Sequence, residues 1–306
     1  MSQLTGSSAN TTQSVAGGAP TATIRSARVR WLRGVGRAVI YLLLLGGSTA
    51  YGFPFAWMVR SSLMRTYEFY EEPPPIFPTN PAWENFKEVW ETGPVLAWII
   101  NSTIVTVLGV VVVTFVSAFV AFGFARITYP GRDGLFLLVI STMMLPGHVT
   151  IIPKVIMFRE IGWLDTLLPL TVPMIGGSAF FIFILRQFFR SIPKELDDAA
   201  EIDGASRLRI MFTIMFPLSK PALATVAVFS FIQHWNDFFE PFIYLNSPHR
   251  MTLGVGMRFF QAGVGDTPML HLQMGIALIA LAPILIAFFF AQKQFIRGIA
   301  LTGIKG

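Results

Sequence analysis

The chain has 306 residues, 53% of them hydrophobic and 13% charged, with a mean hydropathy of +0.60. Soluble globular domains are about 45–50% apolar and about 25% charged, so this composition excludes one and makes membrane lipid the first partner of the chain. The net charge of +6 lies on basic residues scattered between apolar runs, which excludes a nucleic-acid partner, and the absence of cysteine excludes disulfides, thiolate metal sites and cysteine nucleophiles.

Residues 1–24 are rich in Ser, Thr, Gly and Ala without an apolar period, and read as a disordered cytoplasmic tail. A basic juxtamembrane segment, 25–37, follows with Arg25, Arg28, Arg30, Arg33 and Arg37. The apolar stretch from Ala38 to Val59 covers 22 residues. A signal peptide has an apolar core of about 7–15, so this stretch reads as a retained first span, heading a region 38–94 that also holds an external loop. That loop carries Glu68, Glu71, Glu72, Glu84, Glu88 and Glu91 around Pro73-Pro74-Pro75. It reads as an ordinary solvated loop, with contact to an extracytoplasmic protein as the second reading.

Further apolar segments run from Val95 to Phe122, Leu135 to Ile152, Leu167 to Leu185, Phe216 to Ile232 and Gly275 to Phe290. The fold class is therefore all-α, a polytopic membrane protein with six transmembrane helices. With the amino terminus in the cytoplasm, Arg126, Arg132, Arg186, Arg190, Lys194, Arg207, Arg209, Lys220, Lys293, Arg297 and Lys305 join the five early arginines inside. That gives 16 basic residues inside and 7 outside, so both termini are predicted to be cytoplasmic. Prolines at 54, 146, 153, 169, 173, 217, 221 and 283 predict bent or broken spans. Breaks at membrane depth persist where neighbouring helices or a water-lined cavity satisfy the freed backbone, which points to a pathway rather than an anchor.

The largest cytoplasmic loop reads Ser191-Ile192-Pro193-Lys194-Glu195-Leu196-Asp197-Asp198-Ala199-Ala200-Glu201-Ile202-Asp203-Gly204-Ala205-Ser206-Arg207. Pro193 suits a first helical turn, the acids at 195, 197 and 198 suit its positive end, and Arg207 and Arg209 its far end, which predicts one helix over about 193–209. Ala199, Ala200, Gly204 and Ala205 would let another backbone approach, and Gly204 permits a break. An amphipathic helix lying on the membrane is the plainer reading, against which its acidity argues.

The run Asp198-Ala199-Ala200-Glu201-Ile202-Asp203-Gly204 resembles the cytoplasmic signature of ABC importer permeases, Glu-Ala-Ala, three residues, then Gly. Phe216-Pro217-Leu218 downstream is similar to its continuation, and Asp198 departs from the usual Glu by one methylene. The resemblance covers roughly 35–306 and implies a type I ABC importer permease architecture, with a transmembrane core over 95–292. It further implies a coupling helix that docks on a partner ATPase through Glu195, Leu196, Asp197, Asp198, Ala199, Ala200, Asp203, Gly204, Ala205 and Arg207. The partners implied are a second homologous permease, two ATP-binding cassette subunits and an extracytoplasmic substrate-binding protein. The chain contains no Gly-x-x-x-x-Gly-Lys-Ser/Thr loop, so it is expected to bind no cofactor and perform no catalysis, with ATP and magnesium at the partner ATPase subunits.

Trp235-Asn236-Asp237-Phe238-Phe239 and the cytoplasmic tail 293–306 resemble the second permease of maltose-type importers, and imply a small carbohydrate substrate and the bacterial inner membrane. In that resemblance Thr302, Gly303 and Lys305 of the tail reach toward the ATPase. Gln233, His234, Trp235, Asn236, Asp237 and, in the second span, Asn101 carry the hydrogen-bonding groups and aromatic face that hold hydroxyl-rich ligands, and are candidates for the substrate path. The same residues also suit a membrane-interface cluster. Histidine spacing predicts no metal site. Glycerol phosphate or a polyol is the alternative cargo, and an ion-coupled secondary transporter the alternative class, for which buried acids within the spans are missing.

Overall fold

A computed structural model of the chain describes residues 21–263 and 268–302, with side chains for 34–263, 268–290 and 292. Helix α1 spans Thr21–Ser62, so residues 21–24 of the expected tail lie in its first turns, while 1–20 fall outside the described residues. Up to Ala56 this helix belongs to a unit of its own. From Gly34 to Ala56 every residue except Gly47 is exposed, Leu42, Leu43, Leu44 and Leu45 included. Such an apolar, unburied surface is the kind that lipid covers.

The second unit starts at Trp57. Its helices are α2 (Glu84–Thr92), α3 (Val95–Arg126), α4 (Arg132–Met144), α5 (Gly147–Glu160), α6 (Leu168–Ser191), α7 (Glu195–Ile202), α8 (Arg207–Leu218), α9 (Lys220–Trp235), α10 (Phe239–Tyr244), α11 (Leu253–Ala262) and α12 (Leu270–Thr302). No strand occurs among the described residues. Four helices are long and apolar enough to cross a membrane, and the number rises to six when each of two bent pairs counts as one span.

Proline chemistry places the bends. Between α4 and α5 the chain turns by 93° at Leu145-Pro146, where Leu145 takes the extended conformation (φ −80°, ψ 115°) that the residue before a proline prefers. The 81° turn ahead of α9 falls at Ser219, between Pro217 and Pro221, and Pro221 occupies the first turn of α9, where no N–H is required. Pro169 and Pro173 likewise open short turns within α6, which breaks at Gly177 (φ +67°). Pro54, Pro153 and Pro283 lie inside helices.

The segment after Ser62, expected to be an ordinary solvated loop, is folded. Glu68 is fully buried and accepts from the backbone N–H groups of Arg65 and Thr79, both at 2.8 Å. Burial pushes its carboxyl up, but those donors and the Arg65 charge outweigh this and hold it below its ordinary value. Asn85 donates to the carbonyls of Ser62 (2.9 Å) and Met64 (2.8 Å), and Arg60 to those of Pro75 and Ile76. The acidic composition hid this because one buried carboxylate, satisfied by backbone donors, organises the segment.

Two cores hold the unit together. In the larger, the small residues Ser117, Ala118 and Ala121 of α3 let α6 approach closely through Phe181, Leu185 and Phe189, with Met211, Met215 and Val226 closing the cluster. In the smaller, Trp98 packs against Val89, Leu253, Phe260 and Leu272. A Cβ on Gly256 would overlap the Trp98 ring, so only glycine fits there.

Candidate functional site

Helix α7 stops at Ile202, and the expected single helix over 193–209 is two. Gly204 is left-handed (φ +79°), its N–H donates to Glu201 O at 3.0 Å, and Ala205 N–H donates to Ala200 O at 2.9 Å. Those paired bonds are a Schellman stop, in which glycine escapes the cost other residues meet at positive φ. Ala200 and Ala205 each pack against the larger core. Pro193 therefore lies ahead of α7 rather than in its first turn. Arg207 and Arg209 begin α8, capped by Ser206 Oγ. Arg207 reaches back across the break to pair with Glu201.

A residue that sequence reasoning counted only as an inside charge anchors this segment. Arg126, the last residue of α3, donates to the carbonyls of Phe189 and Ile192 at 2.8 Å each, closing the carboxyl end of α6. Its Nε lies 3.3 Å from Asp197 Oδ2, and both side chains are buried. One guanidinium thus joins the ends of α3 and α6 to the first turn of α7. Burial pushes the Asp197 carboxyl up, and the Arg126 and Arg207 charges pull against it without restoring its ordinary value. Outside the pair Glu195, Leu196, Asp198, Ala199, Ile202, Asp203 and Gly204 are all exposed, leaving one face of α7 open.

A second arrangement forms where helices are broken. The bend at Gly147 and His148, the turn around Pro169 and Pro173, and the gap between α9 and α10 enclose a cleft of about 360 Å³. Gln233, His234 and Asp237 line it, joined by His148, Phe239 and Glu240 over an apolar floor of Val105, Ile151, Leu170 and Met174. The rings of His148 and Phe239 stack at 4.7 Å, and Lys154 pairs with Glu240 at 2.9 Å. His234 Nδ1 lies 2.7 Å from Ser230 O, so that nitrogen carries the proton and Nε2 is left for the cleft. The ring stands over Gly109, where a Cβ would lie 2.6 Å from it. A wide π-turn begins at this glycine and spans Gly109–Val113, and Gly109 O accepts from Ser230 Oγ at 3.1 Å.

The other sequence candidates lie elsewhere. Asn101 spends its amide on the carbonyls of His249 and Met251, both at 3.0 Å, where it holds the segment ahead of α11. Trp235 is buried and donates to Ala280 O at 3.0 Å, and Asn236 caps α9 at Ile232 O. Both line a different pocket, against Leu253 and Ala277. Thr302 ends α12, while Gly303 and Lys305 lie outside the described residues. Among the described residues no group of three or more His, Cys, Asp or Glu could hold a metal ion. From the sequence His148, beside Pro146, reads as lining the path or merely satisfying helix backbone, and the cleft takes it; Lys154 and Glu240 were missed, since the ion pair that joins them spans 86 residues of sequence.

A stack of bent, proline-broken spans around such a cleft, with a short capped helix at one end, defines a membrane transport subunit rather than an enzyme. Residues 121–301 match the binding-protein-dependent transport system inner membrane components, and the chain belongs to this family. It is 32% identical to the melibiose/raffinose/stachyose import permease protein MelC of Bacillus subtilis (strain 168), over 92% of this chain and 100% of that one. It is also 30% identical to the polygalacturonan/rhamnogalacturonan transport system permease protein YtcP of the same organism, over 88% and 97%. The fold is similar to that of a bacterial ABC transporter involved in the import of the acidic polysaccharide alginate, with a TM-score of 0.73, 22% identity and coverage of 87% and 97%.

Proposed function

We propose that the chain is one of two permease subunits of an ATP-driven saccharide importer in the bacterial inner membrane, with six spans and both termini cytoplasmic. The saccharide cargo is supported by the names of its relatives, and the orientation by the excess of basic residues on the α7 side. A second permease, two ATPase subunits and an extracytoplasmic binding protein complete the assembly. ATP and magnesium are held by the ATPase subunits.

The observation that carries the reading is the buried Arg126–Asp197 contact behind an exposed α7 face. A push on Leu196, Ile202 and Ala199 from a partner cannot be absorbed within α7. The contact passes it to α3 and α6 together, while the breaks at Leu145-Pro146 and Ser219 let the outer helices reorient around the path. Gly204 meets open space but holds a left-handed backbone that strains any side chain, aspartate less than most, so Gly204→Asp places a charge on the docking face at a local cost of about 1–2 kcal/mol. In the reconstituted importer, saccharide-loaded binding protein should stimulate ATP hydrolysis, and Gly204→Asp should abolish the stimulation while the complex still assembles. Normal stimulation in the variant removes α7 from the coupling role.

A further inference from the structure

We propose that this chain carries its own subsite for a single uncharged sugar unit, in the cleft between the α4–α5 bend and the α9–α10 gap. The inference rests on the saccharide reading above and adds to it which subunit touches cargo, and of what charge.

Size is the first argument. Small-ligand sites run from about 300 to 1,000 Å³. A cleft of about 360 Å³ is at the low end, which admits one ring and excludes a longer oligosaccharide lying wholly within it. Its chemistry is the second. The stacked His148 and Phe239 rings supply a flat aromatic surface, and both residues are exposed, so the cleft is open to an incoming ligand. Gln233 offers a donor and an acceptor, and Asp237 accepts from hydroxyl groups. His234 keeps Nε2 free because Nδ1 is bonded to Ser230 O. These are convergent polar groups above an apolar floor, on helix ends fixed by proline and not on long loops.

Charge is the third argument and decides the class. Lys154 neutralises Glu240, whereas Asp237 accepts from the backbone N–H groups of Phe239 and Glu240 and has no ion-pair partner among the described residues. A phosphate or uronate would meet an unbalanced carboxylate and no free cation, which disfavours glycerol phosphate and acidic sugars here.

The test uses the complete importer in proteoliposomes, with radiolabelled melibiose, maltose and digalacturonate as probes. For the neutral probe the native importer accumulates, Gln233→Ala and Asp237→Asn should each raise the uptake KM about tenfold, the worth of one hydrogen bond to the ligand. Asp237→Asn should also narrow the preference for that probe over digalacturonate, a shift that loss of structure alone would not give. Asn236→Ala, adjacent in sequence but outside the cleft, should leave uptake at the native level. Should Gln233→Ala fail to assemble, the equal-volume Asp237→Asn carries the test alone. Native KM and native selectivity in Asp237→Asn, or a native importer that prefers digalacturonate, overturns the subsite. If the native importer accumulates none of the three, the saccharide reading itself fails and the subsite falls with it.

Discussion

The α7 end and the cleft are built on opposite principles. At the α7 end regular helices are closed by local devices, the Gly204 stop and the Ser206 cap, and one buried charge pair ties them to the spans. In the cleft the polar groups stand where regular helix fails, and they come from segments far apart in sequence. The α7 end is stiff and locally specified. The cleft gains polar groups and space from interrupted helices, at the cost of backbone that neighbours have to satisfy.

Breaking the stiff end should cost most. Arg126→Ala leaves Asp197 buried without its cation and frees the Phe189 and Ile192 carbonyls, so the expected loss is about 3–5 kcal/mol, seen as a lower midpoint of thermal unfolding in detergent and as loss of coupled hydrolysis. A smaller change at the opposite end sharpens the contrast. Gly256→Ala drives a methyl into Trp98, whose Nε1 donates to Pro248 O at 2.7 Å, and should destabilise by about 1–3 kcal/mol in the same measurement with coupling retained.

The smallest effect concerns pH. Asp165, at positive φ (57°), accepts from Asn246 N, Ser247 N and Ser247 Oγ, and its own carbonyl accepts from Arg250. Burial raises its carboxyl, but the Ser247 and Asn246 donors outweigh this and leave it below 3.8. A depressed folded value gives stability that is complete above the unfolded value near 4 and is lost as pH falls through the folded one. The thermal midpoint should therefore decline below about pH 4 less steeply in Asp165→Asn than in the native protein.

Much of the α7 end was legible because its determinants are local. Acids, small residues and glycine sit within ten positions, and periodicity and capping rules act at that range. The extent of the helix was misjudged because Gly204 was read as permitting a break, while the hydrogen bonds that enforce one depend on the chain turning back on itself. Arg126 was invisible as an anchor, since nothing in the sequence distinguishes a positive charge at a span end from one that bonds two helix carbonyls. In the cleft, contiguity misled. Gln233 through Asp237 are neighbours, yet a helix points Trp235 and Asn236 away from the side that carries Gln233, His234 and Asp237, and the contacts of His148 and Lys154 with that side arise only through the tertiary fold.

The π-turn at Gly109 bears on how this protein can change its length. Such a turn holds one residue more than an α-turn, so the helix on either side keeps its own phase, with Val105 and Thr106 buried before it and Ser117, Ala118 and Ala121 buried after. Elsewhere in α3 a one-residue deletion would rotate everything beyond it by about 100° and turn the packed face outward. Within Gly109–Val113 the same deletion would reduce the wide turn to an ordinary one and leave both faces in place. What it would remove is the outward tilt of Gly109 O toward Ser230 and the shelf on which the His234 ring lies.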